Sequence, residues 1–149
     1  MGGSGHPGDL LNALELTTVP LTVHRSYNLP RIFGKNPLVI LSSYSGNTEE
    51  SLTAYQDAKK QGYPILVNTA GGTLADWAQR DSVPWSKIDF TGMQPRHTLF
   101  ASFVSLFAAL KNSGLATDIT ADLNRVASVL NQTLPGLEEA GKNLAQQLK

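Results

Sequence analysis

Hydrophobic residues follow two rhythms along this chain. Short unbroken apolar runs, Leu38 to Leu41 in PLVILSS and Ile65 to Val67 in PILVNT, are bracketed by proline and small polar residues. That is the pattern of strands buried on both faces. Between them, TEESLTAYQDAKKQG places Leu52, Tyr55 and Ala58 at helical spacing. Thr48 opens this segment, acidic residues crowd its first turn, lysines occupy its last, and Gly62 stands where a helix would stop. Both ends of a helix are therefore marked, and residues 37 to 69 predict one strand, helix, strand unit with parallel strands.

The rhythm extends in both directions. PLTVHR, residues 20 to 25, predicts an earlier strand, and GTLADWAQRD, residues 72 to 81, a short helix. SVPWSKIDF predicts a later strand at a sheet edge, because Pro84 lacks the N–H that a central strand needs. Beyond Gln94, PRHTLFASFVSLFAALKNSG predicts a long apolar helix from near Pro95 to near Gly114. TDITADLNRVASVLNQTL and a polar tail follow, so the C-terminal third reads as helical. Such alternation predicts an α/β fold, a doubly wound and mostly parallel sheet flanked by helices.

The length of 149 residues suits one core. The expectation is a single domain over 1–149, with a core at 1–112 and a helical extension at 113–149. No fixed-period repeat or low-complexity linker divides it. At the start, a glycine-rich turn, MGGSG, leads into the helix-like HPGDLLNALEL. A turn of this kind ordinarily follows a strand, so the first strand reads as truncated: the sequence is a fragment, or other contacts hold the turn.

Composition narrows the chemistry. Apolar residues make up 41% and charged residues 16%, which suits a folded globular protein. Twelve basic residues balance twelve acidic ones, leaving no broad field to attract nucleic acid or an anionic membrane. With no cysteine, disulfides and thiolate metal sites are excluded, which is compatible with a cytoplasmic setting. No apolar run approaches the roughly 18 residues of a membrane span. The expectation is a soluble protein with no metal and no cofactor.

An anion held by such a neutral chain must be held by local geometry. Ser42-Ser43-Tyr44-Ser45-Gly46-Asn47-Thr48 lies between the end of a predicted strand and the start of a predicted helix, where open α/β sheets bind ligands. Helix N–H groups, the positive end of the helix dipole and several hydroxyls suit a phosphate there, with no lysine required. The competing reading makes Thr48 an ordinary N-cap and the serines a turn; spacing alone leaves the two about even. A dinucleotide site at GGSGHPG is weaker, since no acidic residue closes LTVHR.

SSYSGNTEE, with MGGSG upstream and GMQPR downstream, resembles the sugar isomerase (SIS) domain, a flavodoxin-like α/β fold. Within it, the motifs resemble the N-terminal half of the bifunctional phosphoglucose/phosphomannose isomerases, in that family's order and at about its spacing over residues 1 to about 110. The resemblance implies that Gly3 and Ser4 contact a sugar, that Ser43, Ser45 and Thr48 grip its phosphate with Asn47 in the same loop, and that Arg96 faces the open-chain sugar. A fixed guanidinium beside the C1 and C2 oxygens would stabilise the enediolate of an aldose–ketose isomerisation. The ligand implied is fructose 6-phosphate, glucose 6-phosphate or mannose 6-phosphate.

The departures are instructive. His6 and Pro7 follow MGGSG where small or apolar residues are usual, and His97 follows Arg96 where a small residue is usual. A histidine near the sugar would open the ring or shuttle a proton; a packing or surface role is the commoner one. The family's catalytic glutamate and histidine and a ring-opening lysine lie in a second SIS domain and at a dimer interface, so a second SIS domain or a homodimer is the implied partner. Glu49 adjoins the phosphate loop as a candidate base, although the helix dipole alone favours an acidic residue there. Phe100, Phe103, Phe107, Trp77 and Trp85 read as core or interface residues. Two functions remain open: an isomerase half, and a non-catalytic SIS module that senses a phosphosugar and regulates a partner.

Overall fold

The computed structural model describes residues 3–30, 36–89 and 97–147. These residues fall into two compact units, Met1–Thr117 and Asp118–Lys149. The first unit carries a three-stranded parallel sheet, β1 (Val39–Ser42), β2 (Ile65–Thr69) and β3 (Trp85–Lys87), in the order β1-β2-β3. Its helices are α1 (His6–Ala13), α2 (Glu49–Gln61), α3 (Gly72–Arg80) and α4 (Leu99–Asn112), and Gly3–Gly5 forms one 3₁₀ turn.

The alternation of strand side chains sorts the helices. Leu41, Ile65 and Val67 point to one face, where they pack with Ala54, Tyr55 and Ala58 of α2 and with Leu74 and Ala78 of α3. Trp77 and Trp85 are half-buried against this cluster, and Trp77 lies 5.3 Å from the ring of Tyr55. The alternate residues Ser42, Asn68 and Ser86 share a register row facing α4. Ser102 and Ser105 of α4 meet that row, while α4 buries Phe103, Leu106, Phe107 and Leu110, and α1 packs against it. Every residue of β2 is buried, as a central strand requires.

Local signals account for α2. Glu49 and Glu50 sit at the positive end of its dipole, and Lys59 and Lys60 at the negative end. Gly62 closes it at φ +70° in the left-handed conformation that a Cβ disfavours. The predicted strand, helix, strand unit and the edge position of β3 match the structure.

One prediction does not match. PLTVHR forms no strand, and among the described residues β1 pairs only with β2. Residues 21–24 instead face β1 across a cavity of about 250 Å³. Val23 rests over Gly8 and Arg25 over Gly5, where a β-carbon would collide with either side chain, and Arg25 pairs with Asp9. Packing on α1 thus replaces the ladder hydrogen bonds a strand would need. α4 begins at Leu99, later than predicted; Pro95 lies outside the described residues. Phe103 and Phe107 are buried as expected, whereas Phe100 is 72% exposed.

The second unit is one helix, α5 (Thr120–Gln147), which runs through Pro135 and the polar tail. Asp118 accepts from the amide of Thr120 at 2.9 Å and so caps its start. None of its residues is buried, and Val126, Val129, Leu130, Leu134, Leu137 and Leu144 are exposed. Among the described residues no helix is long and apolar enough to cross a membrane.

Candidate functional site

The segment from Ser43 to Thr48 leaves the carboxyl end of β1 and delivers the chain to the first turn of α2. Ser43 is 1% exposed; its amide donates to the carbonyl of Asn68, and its hydroxyl accepts from the amide of Gly46 at 3.2 Å. Gly46 has φ +68° and lies against the backbone of Gly71. Ser45 is exposed, and its hydroxyl accepts from the amide of Asn47.

Thr48 occupies the N-cap position of α2, yet its hydroxyl makes no cap hydrogen bond. Instead it turns inward to Ser43 Oγ at 3.0 Å and Ser51 Oγ at 2.9 Å. The usual side-chain oxygen is therefore withheld from the start of α2, where the Ser51 amide is met by the Thr48 carbonyl and the positive end of the helix dipole lies at the 43–48 loop. Ser45 stands beside it with an exposed hydroxyl. An oxyanion fits this combination of amides, hydroxyl and dipole without a basic side chain.

The structure brings in a second motif. Ser4 Oγ, on the 3₁₀ turn, accepts from the amide of Tyr44 at 3.3 Å, joining segments 40 residues apart. Ser4 also lines the 250 Å³ cavity, along with Ser42, His24 and Glu50. Sequence reasoning placed Glu50 beside the loop but passed over His24, because nothing local links an exposed strand-like residue to a helix first turn. Asn47 Oδ1 accepts from both the amide and the hydroxyl of Thr73 at 2.9 Å, so its carbonyl serves α3.

Glu49 is exposed, and its carboxylate accepts from the hydroxyl of Tyr27 at 3.3 Å. That hydrogen bond, with the negative charge behind it, raises the pKa of Tyr27 above its ordinary value. Nothing in the sequence joined these two residues. His97 is exposed just before α4 and makes no hydrogen bond to the 43–48 loop among the described residues. Arg96, with the rest of GMQPR, lies outside the described residues, and so does Gly2 of the glycine motif. His6, the first residue of α1, is exposed.

A parallel sheet with helices on both faces, and a loop at its carboxyl edge that opens a helix, defines a doubly wound α/β domain. No family model matches the chain. It is 39% identical to a bifunctional phosphoglucose/phosphomannose isomerase of Caldicellulosiruptor bescii, over 99% of this chain and 45% of that protein. A bifunctional phosphoglucose/phosphomannose isomerase of Aquifex aeolicus is 32% identical with the same coverage. A D-glucosamine-6-phosphate 4-epimerase of Sulfolobus acidocaldarius is 35% identical over 76% of this chain and 36% of that protein. The chain is similar along nearly its whole length to bifunctional phosphoglucose/phosphomannose isomerases, and it spans about half the length of the curated relatives it matches.

Proposed function

We propose that this chain is the N-terminal SIS half of an aldose–ketose sugar phosphate isomerase, and that its 43–48 loop holds the phosphate of the substrate. The observation that carries the reading is the N-cap of α2. Thr48 turns its hydroxyl away from the helix amides it would ordinarily satisfy, beside the exposed Ser45. The names of the relatives point to phosphorylated glucose and mannose as the ligand class, and isomerisation of either to its ketose would add fructose 6-phosphate.

With the phosphate anchored, the open-chain sugar would extend past Gly3 and Ser4. Arg96 would face its C1 and C2 oxygens and stabilise the enediolate as a proton moves between those carbons. Glu49 and His97 are the candidate proton carriers this chain offers, and the remaining catalytic groups would come from a second SIS domain or a second copy. The relatives are about twice as long, which supports such a partner. The other reading is a phosphosugar-binding module that reports to a partner without turnover.

The deciding experiment incubates the purified chain with fructose 6-phosphate, alone and with the other half of a relative supplied as a separate polypeptide. Formation of glucose 6-phosphate or mannose 6-phosphate in either sample supports the isomerase. Calorimetric binding without product in both supports the sensor, and absence of binding overturns both.

A further inference from the structure

The anion loop does not stand alone. Five hydrogen bonds join it to the loop that leaves β2 and opens α3: Ala70 N and Thr69 Oγ1 donate to the Tyr44 carbonyl, Leu74 N to the Gly46 carbonyl, and Thr73 N and Oγ1 to Asn47 Oδ1. Glycines let the two backbones touch. A β-carbon on Gly46 would overlap the carbonyl oxygen of Gly71, and one on Gly72 would overlap that of Ser45. Both glycines also hold positive φ, at +68° and +72°.

The caps are exchanged across this contact. Gly71, the N-cap of α3, has no side chain to offer, so the N-terminus of α3 takes its acceptor from Asn47 in the neighbouring loop. Only the Thr73 hydroxyl adds a side-chain bond to that acceptor. Held at two points, the Asn47 side chain cannot rotate to accept from the amides of its own loop or helix, which would close the site.

We infer that Thr73 is a positioning residue for the anion site: through Asn47 it locks the 43–48 loop in its ligand-ready shape before any ligand arrives. The inference rests on the phosphate reading given above and names the partner loop on which that binding depends. A loop whose amides already converge spends less of its binding free energy on ordering. Thr73 itself touches no ligand in this scheme.

The test uses the full chain as the parent and two variants of one position, Thr73→Val and Thr73→Ser, titrated with fructose 6-phosphate by calorimetry. Valine keeps the amide bond to Asn47 and removes the hydroxyl bond. Affinity should fall about five-fold, the worth of one neutral hydrogen bond, and serine should restore it. Amide hydrogen exchange on the unliganded protein should quicken at Gly46, Asn47 and Leu74 in Thr73→Val and stay unchanged at Val67 in the core. A merely structural role would raise exchange along β2 as well. If the parent binds and Thr73→Val matches it, or serine fails to rescue, the clamp is overturned while the phosphate site survives. A parent that binds no sugar phosphate overturns the phosphate reading, and the exchange pattern then decides the clamp alone.

Discussion

Two glycines of this chain share a backbone conformation and differ in their surroundings, which makes the contact between the two loops measurable. Gly46 has φ +68° and Gly62 has φ +70°. A β-carbon at Gly62 meets nothing within 4 Å, whereas one at Gly46 overlaps the Gly71 carbonyl oxygen and lies 2.9 Å from Thr69 Oγ1. Gly62→Ala should therefore cost only the left-handed backbone term, about 1 to 2 kcal/mol. Gly46→Ala carries the same term and must also push the loops apart, because the obstacle is backbone and no rotamer relieves it. Parting them breaks the bonds from Leu74 N to Gly46 O and from Ala70 N to Tyr44 O. At about 1 kcal/mol each, these bring the total for Gly46→Ala to about 3 to 4 kcal/mol. Urea unfolding of both variants against the parent reads the difference directly, as midpoints at constant slope. Fructose 6-phosphate affinity should fall in Gly46→Ala and hold in Gly62→Ala. Equal destabilisation of the two, within about 0.5 kcal/mol, would refute the close approach of the loops.

Other outcomes follow from the same geometry. Ser45→Ala should weaken sugar phosphate binding by about 1 to 2 kcal/mol and leave the unfolding midpoint nearly unmoved, because its hydroxyl is exposed. Ser43→Ala should do the reverse, costing about 1 to 3 kcal/mol of stability, because its buried oxygen is the acceptor for Gly46 N and Thr48 Oγ1. Tyr55 is 1% exposed and donates to Asp81 at 2.8 Å; burial first, then this bond, push its hydroxyl up to about 12 from an ordinary 10.0. The folded chain thus holds the proton more tightly. The stability Tyr55 supplies is whole below pH 10 and drains away as pH rises toward 12, so Tyr55→Phe should lose this alkaline slope in unfolding measured at stepped pH. Asp81 behaves oppositely. Arg80, then Lys59 and Tyr55, hold its carboxyl well below the ordinary 3.8, so its contribution is present above that pH and fades as acid titrates it. Asp81→Asn should flatten the acid limb of the same titration.

What the sequence determined lies in segments that carry their own instructions. α2 was legible from Thr48 to Gly62 because dipole charges, apolar spacing and a left-handed stop all act within one helix. β2 was legible because a central strand is apolar on both faces. The 43–48 loop was located by its place between β1 and α2, and its hydroxyl content suggested an anion. The resemblance of MGGSG and SSYSGNTEE to one family suggested the phosphosugar that the proposed function carries forward.

The tertiary structure decided whatever depends on a distant partner. PLTVHR has a strand's composition, but a strand exists only through its neighbour, and packing on Gly5 and Gly8 claimed the segment instead. The polar tail joined α5 across Pro135, a residue that removes one helix bond without ending the helix. Within the loop, composition ranked Ser43, Ser45 and Thr48 alike. Folding buried the first, exposed the second and turned the third inward, and it lent Asn47 to a helix 26 residues away. Periodicity is a property of one segment and can be read along it. A hydrogen-bond partner is chosen by proximity in space, which only the folded chain creates.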